Sequence, residues 1–193
     1  MSPGAAIDNP SGGRFARLWE VFRQEFTHNF RRPLFWVLIL LTGYFSWELS
    51  GGGASMSSGV ARVGGTKAWI TSEFALAQLL IMMVSIIYAF FVSVGAGMSL
   101  IRDEDLKVGE LLHSTRLTPG EYAWGKYLGV LAAFLGVLLL QVALFAAFNH
   151  LVPHGENRDS IGPFALWNYL KPVLFFAIPM LVLSVGTAFA IGG

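Results

Sequence analysis

Residues 74–101 read FALAQLLIMMVSIIYAFFVSVGAGMSLI, a stretch of 28 residues without a single charged side chain. About 20 apolar residues in a helix suffice to cross the roughly 30 Å hydrocarbon core of a bilayer. The stretch exceeds that length, so a helix formed by it must tilt or extend beyond the membrane on one side. It predicts a transmembrane helix, and it is the strongest such signal in the chain.

The remainder of the chain has the same apolar character. Hydrophobic residues make up 54% of the 193 residues and charged residues only 13%, a composition typical of membrane proteins. Three further apolar segments, 34–50, 123–148 and 170–191, bring the number of predicted spans to four, of which 34–50 is the weakest because it is short. Pro179 is expected to kink the last span. We therefore predict an all-α fold, a polytopic membrane helical bundle with a transmembrane domain over residues 33–193.

An amphipathic segment precedes the first span. Between residues 14 and 32, apolar and aromatic residues recur at three- and four-residue spacing, and arginines occupy the other positions of the helical wheel. This pattern favours an interfacial helix that lies in the headgroup layer against membrane lipid. The alternative is a helix that packs on a partner protein. Residues 1–13 offer almost nothing to bury, and we predict a disordered tail there.

The distribution of basic residues predicts the orientation. Nine of the 13 lysines and arginines lie before the first span or between spans two and three, and four lie in the other loops. Loops rich in Lys and Arg face the cytoplasm, so both ends of the segment 14–191 are expected inside.

Polar and reactive residues within the predicted spans are few. Gln78 and Gln141 lie deepest, and because an amide in hydrocarbon needs a partner, interhelical hydrogen bonds are favoured over a wet path. His150 and His154 are separated by Pro153 and have no third ligand nearby, so we expect no metal site. The chain lacks cysteine, a Walker A pattern and hydrolase motifs, so we predict no cofactor, no enzymatic activity and no nucleic-acid partner.

The charged loop 102–122, between the second and third spans, holds the most specific pattern. Thr118-Pro119-Gly120-Glu121 is typical of a helix start, because Thr118 can cap the helix, proline suits the first helical position and Glu121 completes a capping box. Upstream, the leucines Leu106, Leu111 and Leu112 indicate a short amphipathic helix parallel to the membrane.

This loop and the segment before it resemble one family. The chain has R-x-P before its first span and R-D-x-x-x-K-V-x-E-L-L-x-S-T-x-L-T-P-x-E-Y-x-x-G-K over residues 102–126. Over roughly residues 14–150 it is similar to type-2 ABC exporter permeases, the membrane-spanning subunits of ABC transporters. The resemblance rests on these residues: Arg102, Asp103, Glu110, Leu111, Leu112, Ser114, Thr115, Thr118, Glu121, Tyr122, Gly125 and Lys126.

The resemblance implies a function, a docking surface and partners. In such permeases this loop forms a coupling helix that docks on a separate ATP-binding cassette ATPase subunit, and the permease exports a substrate across the bacterial inner membrane. The implied docking residues are Asp103, Glu104, Asp105, Leu106, Lys107, Glu110, Leu111 and Leu112. A second permease subunit is expected because the substrate path lies between two halves, and Gly125, Gly129 and Gly136 offer a close-packing helix face.

Two alternatives stay open on the sequence. Family members have six spans per half-transporter and this chain has four, which predicts a truncated fragment or the front of a longer permease. A non-transporting membrane scaffold or accessory subunit would also keep the loop without enough spans for a path. No residue discriminates among lipids, peptides, drugs, ions or polysaccharides as substrates.

Overall fold

A computed structural model describes residues 13–50, 56–58, 61–63, 69–105, 118–152 and 161–192. Its α-helices are α1 Arg14–Arg31, α2 Pro33–Ser50, α3 Glu73–Met82, α4 Ala89–Asp105, α5 Pro119–His150, α6 Leu166–Pro172 and α7 Ile178–Gly192. The π-helical segment Met83–Tyr88 joins α3 to α4, and the π-helical segment Val173–Ala177 joins α6 to α7. Span one is thus α2, span two runs from α3 to α4, span three is α5 and span four runs from α6 to α7.

These four spans are long and apolar enough to cross a bilayer, so the predicted all-α membrane bundle is confirmed. The helices begin one to four residues before the predicted limits. Polar residues such as Glu73 occupy the first helical turn, so the helix starts before the apolar run does. Where the sequence indicated a loop between spans one and two, the structure has a small hairpin. Strands β1 Met56–Ser58 and β2 Ala61–Val63 pair antiparallel, with Met56 opposite Val63.

In the last span, the helix departs from regular α-helical geometry before Pro179, the residue that was expected to kink it. The π-helical segment Val173–Ala177 ends two residues before Pro179. Proline has no amide hydrogen to donate to the preceding turn, and a wider turn is one of the ways in which a helix accommodates this loss. Span two has a π-helical segment at Met83–Tyr88 without any proline, which the sequence did not predict.

Spans one and three pack side by side, and a Cβ on Gly43 would lie 3.9 Å from the side chain of Leu144. Thr42, Ser46 and Ser50 are buried along one stripe of span one. The rings of Trp47 and Phe148 lie 5.2 Å apart. The hydroxyls of Thr42 and Ser46 donate to the carbonyls of Leu38 and Thr42 in their own helix, at 2.9 and 2.7 Å, which satisfies them without a partner helix. Small side chains of this kind let helices approach closely in hydrocarbon.

Polar contacts tie spans two and four together at the end opposite α1. Lys171 Nζ lies 2.8 Å from Glu73 Oε2, and the backbone amide of Gly162 donates to Thr71 Oγ1 at 3.0 Å. Gly162 also lies against the indole of Trp69, since a Cβ there would be 2.5 Å from two ring atoms. The described segments that lead into spans two and four therefore contact each other at this end of the bundle.

Candidate functional site

The candidate site is the α1 end of the bundle, defined by α1, the last turns of α4 and the first turns of α5. The helix α5 begins with the predicted capping box. Thr118 Oγ1 accepts a hydrogen bond from the Glu121 amide at 3.3 Å, and the Glu121 carboxylate accepts one from the Thr118 amide at 3.2 Å. The sequence TPGE thus fixes where span three starts, as predicted.

α1 runs along this start of span three, in the same direction. Arg17 contacts Glu121, Val21 contacts Gly125 and Glu25 contacts Gly129. Each step of four residues on α1 is matched by four on α5, so the two helices lie side by side over at least two turns. No helix pair in the described part of the chain packs more extensively.

Two glycines make this close approach possible. A Cβ on Gly125 would lie 2.7 Å from the Cβ of Val21. On Gly129 it would lie 2.9 Å from both the Cβ of Glu25 and the carbonyl oxygen of Phe22. On Gly136 it would meet nothing within 4 Å. Of the three glycines predicted as a helix-packing face, two therefore pack against α1 of the same chain, and Gly136 is open to other partners.

A salt bridge between Arg17 and Glu121 lies at the N-terminal end of the contact between α1 and α5. The guanidinium of Arg17 donates to both carboxylate oxygens of Glu121, from Nη2 at 3.1 Å and from Nε at 3.3 Å. Glu121 lies in the first turn of a helix about 48 Å long, well outside a hydrocarbon core of about 30 Å. The hydrogen bonds from Arg17 hold the pKa of Glu121 below its usual value.

Arg32 connects α1 to span one and also contacts span two. It is the single extended residue between α1 and α2, and its Nη1 donates to the carbonyl oxygen of Gly95 in span two at 3.0 Å. Gly95 lies 22 residues after Glu73, about 33 Å along the helix, which matches the thickness of a hydrocarbon core. Beyond this level α4 continues for about 15 Å to Asp105, and α1 extends in the same sense.

Three faces of α1 have different surroundings. Val21 and Glu25 face span three. Trp19, Phe22, Phe26 and Phe30 form a second face whose successive rings lie 5.0, 5.9 and 5.0 Å apart. The third face carries the charged residues. The sequence predicted the aromatic and charged faces but not the one that packs on span three, whose only signal was the spacing of Gly125 and Gly129.

The predicted docking residues lie partly within the described structure. Asp103, Glu104 and Asp105 belong to the last turn of α4. The other members of the predicted surface, Leu106, Lys107, Glu110, Leu111 and Leu112, lie outside the described residues. Among the described residues no group of three His, Asp or Glu side chains could hold a metal ion. His150 instead lies with Nε2 at 2.8 Å from the hydroxyl of Tyr169.

Comparisons with known proteins add no family or relative. No protein-family model, no curated protein and no solved structure matches the chain.

The Arg17 pair should contribute a small, salt-dependent share of the α1 contact. Arg17→Gln is expected to lower the melting temperature in detergent slightly, and by less at high salt, because ions screen a partly exposed pair. Arg14→Gln removes the same charge one turn earlier, at a position with no described partner, and serves as the control. An equal decrease for both variants would contradict a specific role of the Arg17–Glu121 bridge.

Proposed function

We propose that this protein is the membrane-spanning permease subunit of an ABC transporter, and that ATP hydrolysis by a separate subunit drives export through it. The support is the resemblance over residues 102–126 together with the position of that segment in the bundle. The α1 end then faces the cytoplasm, as its basic residues favour. A bacterial inner membrane is the location that the resemblance implies.

The observation that carries the proposal is how far the two helices that flank the coupling segment extend beyond a level that they share. Gly95 packs near Phe134, so these two residues mark a common level in spans two and three. Asp105 lies about 15 Å beyond Gly95, and Thr118 about 24 Å before Phe134. Residues 106–117 therefore connect two helix ends that extend beyond this common level, and we propose that a soluble subunit binds them there.

Exposed aromatic side chains at this end suit a protein partner. Phe15, Trp19 and Trp124 are 89, 61 and 60% exposed. They lie on the first turns of α1 and α5, beyond the level of Arg32. Aromatic residues are enriched at protein interfaces, because they bury a large apolar area at low conformational entropy.

Coupling follows from the attachment of α1 to span three. ATP binding would bring two ATPase subunits together, and the coupling segment would carry that displacement into the start of span three. The nucleotide shifts the bundle from an inward-open to an outward-open population only if it binds the two states differently. A second permease subunit is proposed to complete the path, as the resemblance implies.

The proposal is tested by substituting residues of the predicted docking surface and measuring co-purification of the ATPase subunit. In the Leu111→Glu/Leu112→Glu variant, the ATPase subunit that co-purifies with the tagged wild-type protein should be lost by at least about tenfold, since two charges would replace buried apolar contacts. The variant should stay in the membrane fraction. Leu151→Glu, at an 80% exposed leucine of the opposite end, is the matched control.

Two outcomes would contradict the proposal. Undiminished co-purification of the ATPase would show that the docking surface lies elsewhere. A wild-type protein that resides stably in the membrane and captures no ATPase, with no ATP-dependent transport in vesicles, would favour a membrane scaffold.

A further inference from the structure

A groove of about 440 Å³ lies along the third face of α1, the one turned away from span three. Its volume falls within the range of about 300–1,000 Å³ that is usual for small-molecule sites. The described residues that line it share one helical face, at spacings of three and four residues. They are Glu20, Arg23, Gln24, Thr27, His28 and Arg31.

The groove holds cationic groups that no residue in the described part of the chain neutralises. Arg23 and Arg31 are exposed, and in the described structure neither forms an ion pair or a hydrogen bond through its side chain. The same holds for the amide of Gln24 and the hydroxyl of Thr27. Glu20 contributes the one carboxylate of the groove, at the end farther from span one. The free donors therefore concentrate between Arg23 and Arg31.

These donors are centred on Thr27. Thr27 lies four residues from each arginine, about 6 Å along the helix axis in either direction, and all three share a face. Long arginine side chains can bridge that distance and meet at Thr27. Two guanidiniums with a hydroxyl and an amide between them match the oxygens of a phosphate, which arginine binds through two parallel hydrogen bonds.

The depth of this level points to the origin of the phosphate. Arg31 lies two residues before Pro33, where span one begins. Thr27 then lies about 6 Å farther out, and each headgroup layer of a bilayer is about 5–7 Å thick. On the face beside the groove, Phe26 and Phe30 lie within about 8 Å of Arg31 along the helix axis, and their rings suit the boundary between headgroups and acyl chains.

We propose that this groove binds the headgroup phosphate of an anionic phospholipid in the leaflet at the α1 end, with Arg23 and Arg31 as its principal ligands. The proposal is independent of the transport function. It requires only that α1 precedes a membrane span and that its polar face stays open. The lipid would fill the face of α1 that neither span three nor the aromatic residues occupy.

The experiment measures lipid binding to the purified full chain in detergent. Phosphatidylglycerol and phosphatidylcholine with identical acyl chains are titrated, and retained lipid is counted by native mass spectrometry. Wild type should prefer phosphatidylglycerol. Arg23→Gln/Arg31→Gln should weaken that binding by about thirtyfold, since each arginine near an anionic headgroup contributes about a fivefold factor. Arg23→Lys/Arg31→Lys should keep most of the preference, and unchanged melting temperatures would show that the variants fold.

A matched control and three outcomes decide the proposal. Arg14→Gln removes a charge from α1 outside the groove and should change phosphatidylglycerol binding by less than about twofold. Equal losses in Arg14→Gln and the double variant would overturn the site in favour of diffuse attraction. Displacement of the lipid by inorganic phosphate, but not by chloride at equal ionic strength, would identify a site for soluble phosphate. Loss of the co-purified ATPase with unchanged lipid binding would make the groove a protein-docking surface.

Discussion

Gly129→Ala is expected to destabilise the protein by about 1–3 kcal/mol, although a single methyl group is added to a helix. The new Cβ would lie 2.9 Å from the carbonyl oxygen of Phe22, which is backbone and cannot rotate away. α1 would have to move outward as a unit. Gly125→Ala should act in the same direction, because the new Cβ would lie 2.7 Å from the Cβ of Val21, whose position the backbone fixes, and 3.2 Å from the carbonyl oxygen of Leu18.

Gly136→Ala provides the matched control on the same helix. A methyl group there meets nothing within 4 Å, and alanine has the higher helix propensity, so stability should be unchanged or should rise by up to about 1 kcal/mol. The measurement is the melting temperature in detergent. Because the chain has no cysteine, a Val21→Cys substitution adds a second readout: labelling of residue 21 should be slow alone and faster in combination with Gly129→Ala. Equal melting temperatures for the alanine variants at 129 and 136 would refute the close contact.

Loss of the buried hydrogen bond between spans two and three should have the next largest effect. The hydroxyl of Tyr88 donates to Gln141 Oε1 at 2.9 Å, and both side chains are at most 1% exposed. Tyr88→Phe leaves the amide oxygen of Gln141 without this donor in an apolar interior. We expect a loss of about 1–2 kcal/mol, within the range measured for interhelical hydrogen bonds and buried unpaired groups.

A double-mutant cycle separates this bond from simple packing. Gln141→Leu should also destabilise the protein, whereas Tyr88→Phe/Gln141→Leu should lose less than the sum of the two single changes, because no unpaired polar group is left. If the losses in the free energy of unfolding are strictly additive, the two side chains do not interact.

The sequence predicted the features that depend on local chemistry. Runs of apolar residues set the number and limits of the spans, and Thr118 with Glu121 set the start of span three, because a capping box is satisfied within four residues. The prediction that amides pair between helices is confirmed for Gln141. It is wrong for Gln78, which is exposed on the surface of the bundle.

Contacts between distant segments could not be predicted in the same way. Glycine is common in transmembrane helices for several reasons, so Gly125 and Gly129 did not identify α1 as their neighbour. The structure pairs Glu73 with Lys171, 98 residues away, and no local pattern indicates such a contact. Which side chains meet depends on helix rotation and register, and hydropathy specifies neither.

One consequence follows from the single extended residue at Arg32. α1 is fastened along its length to the third crossing, yet it joins the first crossing through one non-helical link. Such an element works as a lever whose pivot is that link. A force applied to the first turns of α1 would therefore act on the third crossing through their shared contact surface, and on the first crossing only through Arg32 and through its packing against the third.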